Sequence, residues 1–257
     1  MASVTRATRF AELHVKGDPL LLYNAWDAGS ARAILDAGAP AIATSSWSVA
    51  EAHGYRDGEE IPAQLAEQVI ARIAATVDAP VSADIEGGYS GDDDAQLADR
   101  VGRLLECGVV GINFEDRVVK GAGLYDVGRQ AARILAIRRA AEQKSVDLFI
   151  NARTDLFFGQ GTDPASSIGE AIDRSKAYAD AGASGYFIPG LQDEALIGRV
   201  CDGSVLPVNV MVMDGVPSLA RLAELGVARI SWGPIPYIDA MATLQKGART
   251  TLAAGRA

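Results

Sequence analysis

The chain has 257 residues, 49% of them hydrophobic and 22% charged, with a formal net charge of −9; this length suits one large domain or two small ones, and single α/β barrels commonly occupy it. Acidic and basic residues are interspersed, so the clustered basic patch of a nucleic-acid binder is missing and nucleic acid is excluded as a partner. Cys107 and Cys201 are isolated, without Cys-x-x-Cys spacing, which excludes a disulfide framework or zinc site and reads as two buried reduced thiols.

In chain order, the opening stretch MASVTRATRFAELHVKG lacks an apolar run long enough for a signal peptide and predicts a short amphipathic helix around residues 7–15. No segment approaches the ~18 apolar residues of a membrane span, so no membrane partner is expected and the expected location is cytoplasmic. Eight short apolar runs follow at fairly even intervals: LLLYNA (20–25), PAIATSS (40–46), PVSADIE (80–86), VGINFED (110–116), DLFINARTD (147–155), SGYFIPG (184–190), PVNVMV (207–212) and ARISWG (228–233). Between them lie segments of helical period such as 63–77 and 94–108, and a last helical segment covers 235–254. Glycine closes several helices directly before the next apolar run, at Gly38, Gly108, Gly182 and Gly226, supplying the left-handed cap that a helix-to-strand loop needs. Eight strands, each followed by a helix, predict an α/β fold, a closed (β/α)8 TIM barrel of one domain, 1–257, with the barrel proper at about 20–235; an open doubly wound sheet is the other arrangement.

In such a barrel the chemistry sits at the carboxyl ends of the strands. Those ends carry Asn24, Asp27, Thr44, Ser45, Ser46, Trp47, Asp84, Glu86, Glu115, Asp116, Asn151, Arg153, Asp155, Asn209 and Ser231. Asp84 and Glu86 stand two apart, predicting a common direction, and Glu115 comes from the adjacent strand. Any one acid there reads equally as a cap or an ion-pair partner, but three converging carboxylates repel unless a hard divalent cation is shared, so they are the candidate metal ligands, for Mg²⁺ with Mn²⁺ as the other choice. Asp92, Asp93 and Asp94 precede a helical pattern and read as helix-start residues. Arg153 is placed to clamp a substrate carboxylate, or to pair with Asp155 or Glu115. The Thr-Ser-Ser-Trp stretch at 44–47 offers hydroxyls and amides for a second anionic group. His14 and His53 read as packing or surface residues, and neither a Ser/His/Asp order nor a Walker loop is present.

The stretches YNAWDAGSARAILDAGAPAIATSSWSVAEAHGYRDGEEIP, PVSADIEGGY, GINFED, INARTD and GVARISWGP together resemble the isocitrate lyase/phosphoenolpyruvate mutase superfamily, from about residue 20 to 235. The resemblance implies a (β/α)8 barrel assembled as a homotetramer of paired subunits, the C-terminal helix exchanged between them, binding Mg²⁺ and a small anionic 2-oxo or 2-hydroxy carboxylate. Carried over position by position, it implies metal ligation at Asp84, Glu86 and Glu115, a substrate arginine at Arg153, an anion turn at Ser45, Ser46 and Trp47, and a further aspartate at Asp57. Lyases of the superfamily carry Lys-x-Cys-Gly-His after the fourth strand and mutases resemble Lys-x-Asn-Ser; this chain reads Lys120-Gly121-Ala122-Gly123-Leu124. With the loop cysteine absent, Lys120 and Tyr125 remain as candidate proton donors on a gate at 117–125, and Trp47, Tyr89 and Asn209 as candidate size selectors. The expected activity is an oxaloacetate decarboxylase-like or methylisocitrate lyase-like C–C cleavage through a metal-stabilised enolate. A P–C bond enzyme, whether phosphonomutase or phosphonopyruvate hydrolase, is the alternative, and a catalytically silent keto-acid binder the third.

Overall fold

A computed structural model describes residues 2–158 and 163–255; the remaining positions of the expected single domain lie outside the described residues. In chain order the elements are α1 (Ala2–Glu12), β1 (Leu20–Leu22), α2 (Ala28–Asp36), β2 (Ile42–Ala43), α3 (Ser46–Ala52), α4 (Ala63–Thr76), β3 (Val81–Asp84), α5 (Asp94–Glu106) and β4 (Gly111–Glu115). They continue with α6 (Val127–Gln143), β5 (Phe149–Arg153), α7 (Pro164–Asp180), β6 (Gly185–Phe187), α8 (Glu194–Gly203), β7 (Val208–Met211), α9 (Leu219–Glu224), β8 (Arg229–Ser231) and α10 (Ile235–Ala254).

All the ladders are parallel, in the order β1-β8-β7-β6-β5-β4-β3-β2, and an isolated bridge between Ala25 and Thr44 draws β1 and β2 together. The barrel is therefore nearly closed, and the (β/α)8 fold is the one the repeating sequence pattern predicts. The expected glycines do the expected work: Gly38, Gly108, Gly182 and Gly226 all hold positive φ, between 83 and 100°, immediately after helix ends.

Helix α1 begins earlier than the predicted 7–15 and plugs the amino-terminal mouth. Its Phe10 is fully buried and meets Phe149 edge-on with centroids 5.5 Å apart, while His14 stacks on the same ring at 3.9 Å. Gly111, the first residue of β4, is required by this plug, since a Cβ there would lie 2.6 Å from the Phe10 ring. Cys201 is buried as expected, but Cys107 is exposed: it caps α5 on the outer surface, where the helix end meets solvent.

Register places the site residues. Asp84 pairs with Asn113, Glu115 with Arg153 and Arg153 with Phe187, so one diagonal across β3–β6 delivers two acids, an amide, a guanidinium and an aromatic ring to the carboxyl-terminal mouth.

Candidate active site

At that mouth lies a cavity of about 350 Å³. Ser45, Ser46, Trp47, Asp57, Asp84 and Arg153, all expected from the sequence, line it, together with Asn24, Asn113 and Ser231. The remaining wall is apolar, formed by Phe158, Phe187 and Met211 alongside Trp47. A larger groove of about 820 Å³ lies outside the barrel between α1, β1 and α2; it is lined mainly by apolar residues and lacks converging polar groups.

Asp84 ends β3 and is fixed by its neighbour strand. Ser46 donates to its Oδ2 twice, from the hydroxyl at 2.7 Å and from the backbone N–H at 3.1 Å, and the Asp84 N–H donates to Thr44 Oγ1 at 2.8 Å. The expected free turn at 44–47 is thus a helix start. Ser45 caps the short α3, its Oγ accepting from the Ser48 N–H and hydroxyl, so both serine hydroxyls are committed to the protein.

Glu86 does not share Asp84's direction. It lies beyond the strand at φ 50°, which breaks the two-residue alternation and turns its side chain toward the 57–59 loop. There Oε2 accepts the N–H groups of Gly58 and Glu59 at 2.9 and 2.8 Å, and Oε1 accepts the Tyr89 hydroxyl at 2.8 Å. Burial first, then the charge of Asp57, pushes the Glu86 carboxyl up to about 7. Tyr89, expected as a size selector, instead braces Glu86. Asp57 stands at the exposed rim of the cavity, its carboxyl raised by partial burial and by Asp84.

Arg153 is held by two acids. Its Nε and Nη2 donate to Asp155 at 2.6 and 3.0 Å in a bidentate pair, and Nη1 lies 3.1 Å from Glu115 Oε2. Burial pushes the Glu115 carboxyl up, and Arg153 opposes this. Asp116, fully buried, accepts from Arg174, the Tyr178 hydroxyl and the Asp155 N–H, anchoring the β4 and β5 ends to α7 rather than facing the cavity. Among the described residues no group of three or more His, Cys, Asp or Glu side chains is placed to hold a metal ion by itself. Asp84, Glu86 and Glu115 are neighbours with separate protein partners, and the expected three-carboxylate cage is not assembled.

Besides Glu86, Tyr89 and Glu115, three more expected site residues lie away from the cavity lining. Lys120 is exposed and donates through Nζ to the Gly58 carbonyl at 2.8 Å, tying the 117–125 loop to the 57–59 loop. Tyr125 lies under the Arg133 guanidinium, 4.3 Å from ring centroid to Cζ, facing α6. Asn209 is buried inside the barrel, bonded to Asn151 and Ser231. Missing from the sequence expectation were Asn113 and the apolar wall. Asn113 shares the inward parity of Glu115 two residues on, which is the signal that would have found it.

A family profile for phosphoenolpyruvate phosphomutase matches residues 10–252. The crystal structure of a candidate phosphonomutase from Burkholderia cenocepacia J2315 superposes with a TM-score of 0.93 at 45% identity, covering 97% of this chain and 99% of that one. An uncharacterized protein of Mycobacterium tuberculosis is 37% identical over 89% of this chain and 83% of its own length. The 2-methylisocitrate lyase of Bacillus subtilis is 32% identical over 86% of this chain and 68% of its own. The chain belongs to the phosphoenolpyruvate phosphomutase family, within the isocitrate lyase/phosphoenolpyruvate mutase superfamily of lyases and mutases.

Proposed function

We propose that this protein is a divalent-metal-dependent lyase that cleaves a C–C bond of a small 2-oxo or 2-hydroxy carboxylate, with an oxaloacetate-type decarboxylation as its leading reaction. One observation carries the choice of C–C over P–C cleavage. Arg153, the one cation lining the cavity among the described residues, is already engaged by Asp155 and Glu115, and the apolar wall is Trp47, Phe158, Phe187 and Met211. A transferred phosphonyl dianion would meet, among the described residues, no side-chain cation free of an acid partner there. A carboxylate leaving as CO2 loses its charge, and an apolar wall favours that loss.

The donor set fits a divalent cation. Asp57, Asp84, Glu86 and Glu115 crowd one side of the site, and burial raises three of them. Asp84 would hold Mg²⁺ or Mn²⁺ directly, with Glu86 and Glu115 reaching it through water, since Mg²⁺ keeps several of its waters. Such an ion would withdraw charge from the substrate's carboxylate and 2-oxygen and stabilise an enolate. The chain's own part is placement: Ser46 orients Asp84, Arg153 stands over the substrate carboxylate, and the aromatic wall excludes water. With Lys120 and Tyr125 turned away, solvent or Asp57 at the rim returns the proton.

A panel of oxaloacetate, 2-methylisocitrate, 2,3-dimethylmalate and phosphonopyruvate with Mg²⁺ or Mn²⁺ tests the proposal. Pyruvate release from oxaloacetate that stops with EDTA and returns with Mg²⁺ is the expected result. EDTA-resistant turnover overturns the metal-dependent reading, a phosphorus NMR change on phosphonopyruvate puts P–C chemistry in its place, and tight oxalate binding without turnover of any substrate makes the protein a binder.

We also propose a homo-oligomer, a dimer of dimers, in which α10 packs on a second copy. Beyond Ala240 every described residue of α10 is exposed, including Met241, Leu244 and Leu252, and the apolar groove beside Val15, Leu21 and Tyr23 offers apolar surface for a second copy to cover. Light scattering that gives a monomer for the full chain overturns this. Both thiols are free, as suits the reducing cytoplasm, and among the described residues no helix is long and apolar enough to cross a membrane.

A further inference from the structure

Inside the barrel, one layer below the cavity, lies a guanidinium that the proposed function has not used. Arg229 on β8 is 1% exposed, and its one side-chain hydrogen bond runs from Nη2 to Asn113 Oδ1 at 3.0 Å. Its Nε and Nη1 have no hydrogen-bond partner among the described residues. A buried cation with orphaned N–H groups costs stability, and an apolar side chain of similar volume would pack there more cheaply. Packing therefore does not account for it.

Asn113 is what it touches. Asn113 Oδ1 accepts a second hydrogen bond, from Asn151 Nδ2 at 2.9 Å, and Asn151 is steadied in turn by Asn209 at 3.0 Å. An arginine N–H only donates, so the facing atom of Asn113 must be its carbonyl oxygen, and the amide cannot be flipped. The Nδ2 end is left without a protein partner among the described residues, on a residue that lines the cavity beside Asp84.

We propose that Asn113 is a substrate-contacting residue whose amide N–H donates to the 2-oxygen of the bound 2-oxo acid, and that Arg229 is the positioning residue that aims it. This rests on the lyase reading above. A donor next to Asp84 suits an oxygen that gains negative charge as the enolate forms, and the Arg229 charge polarises the amide from below without reaching the substrate.

Calorimetric titration of the Mg²⁺-loaded protein with oxalate, a planar mimic of the pyruvate enolate, tests this in Asn113→Ala, Arg229→Met, Arg229→Lys and the Asn113→Ala/Arg229→Met double variant. Asn113→Ala and Arg229→Met should each weaken oxalate about 10- to 100-fold, the loss of one hydrogen bond to a charged group. The double variant should be no weaker than Asn113→Ala alone, and Arg229→Lys should recover part of the loss. Arg229→Met should melt no lower than the wild type, whereas a purely structural arginine would lower the melting temperature and leave oxalate affinity alone. Should Arg229→Met fail to fold, Asn113→Ala and Arg229→Lys still decide the matter. Wild-type affinity in Asn113→Ala overturns the inference alone; additive losses in the double variant remove Arg229 from it; and a wild type that binds no oxalate overturns the lyase reading and this one together.

Discussion

Ser46 holds Asp84 by two hydrogen bonds to a single carboxylate oxygen, Oδ2, leaving Oδ1 turned to the cavity without a protein partner among the described residues. A serine that begins a helix is thereby converted into the support of the proposed metal ligand. Ser46→Ala keeps the backbone donor and loses the hydroxyl. Supporting groups of this kind typically contribute 10- to 100-fold to metal affinity, so Mn²⁺ titrated by electron paramagnetic resonance should bind roughly 10-fold more weakly, with the melting temperature nearly unchanged. Unaltered Mn²⁺ affinity would remove Asp84 from the metal site.

Much of this architecture was legible in the sequence, for a physical reason. Inward strands and half-buried helices write their burial into residue period, and the glycines at 38, 108, 182 and 226 mark helix ends because few other residues tolerate positive φ. The contents of the mouth were legible only as residue types. Nothing in the side-chain pattern announces that Glu86 sits at positive φ and turns to Gly58 and Glu59, or that a seven-residue helix too short to show a period consumes Ser45 and Ser46. Arg229 carries no signal of its own in the sequence, because one charged residue in a three-residue strand resembles the helix-end cation that precedes many strands.

Arg153 joins two acids whose side chains are 6% and 3% exposed, Glu115 and Asp155. Removing the guanidinium leaves both carboxylates buried without their partner, a cost of about 3–5 kcal/mol. Arg153→Met should therefore lose stability, on the order of 10 °C in melting temperature, as well as turnover. Arg153→Lys keeps the charge but not the fork, so it should melt closer to the wild type while turnover falls by at least about 100-fold. A lysine variant with near-wild-type kcat/KM would show that the bidentate geometry serves the fold alone.

Lys120 reaches Gly58, not the cavity, and Gly58 in turn donates to Glu86. Its effect should then be on the order of a loop restraint. In Lys120→Ala, kcat should fall less than about tenfold, with a larger rise in KM as the two loops separate. A loss of a thousandfold or more in kcat, measured in initial-rate assays at saturating substrate, would instead make Lys120 the proton donor.

His14 gives the fold a pH dependence that can be separated from catalysis, because it lies at the opposite mouth. Its Nδ1 is 2.8 Å from the Phe10 carbonyl, its ring stacks on Phe149, and its Nε2 is buried without a partner among the described residues. Burial, then the Arg229 charge, lowers its pKa from 6.5 to about 3, and Lys16 shares the adjoining pocket without offering a counter-charge. The folded value lies below the unfolded one, so the neutral ring favours the fold fully above pH 6.5, and proton uptake by the unfolded chain erodes stability as pH falls from 6.5 toward 3. The slope approaches about 1.4 kcal/mol per pH unit. In His14→Phe the stacking ring remains and the titration disappears. Between pH 7 and 5 the wild type should therefore lose about 2 kcal/mol more than the variant in urea unfolding. Equal losses in the two proteins would mean that His14 is protonated in the folded state and that its ring is open to water.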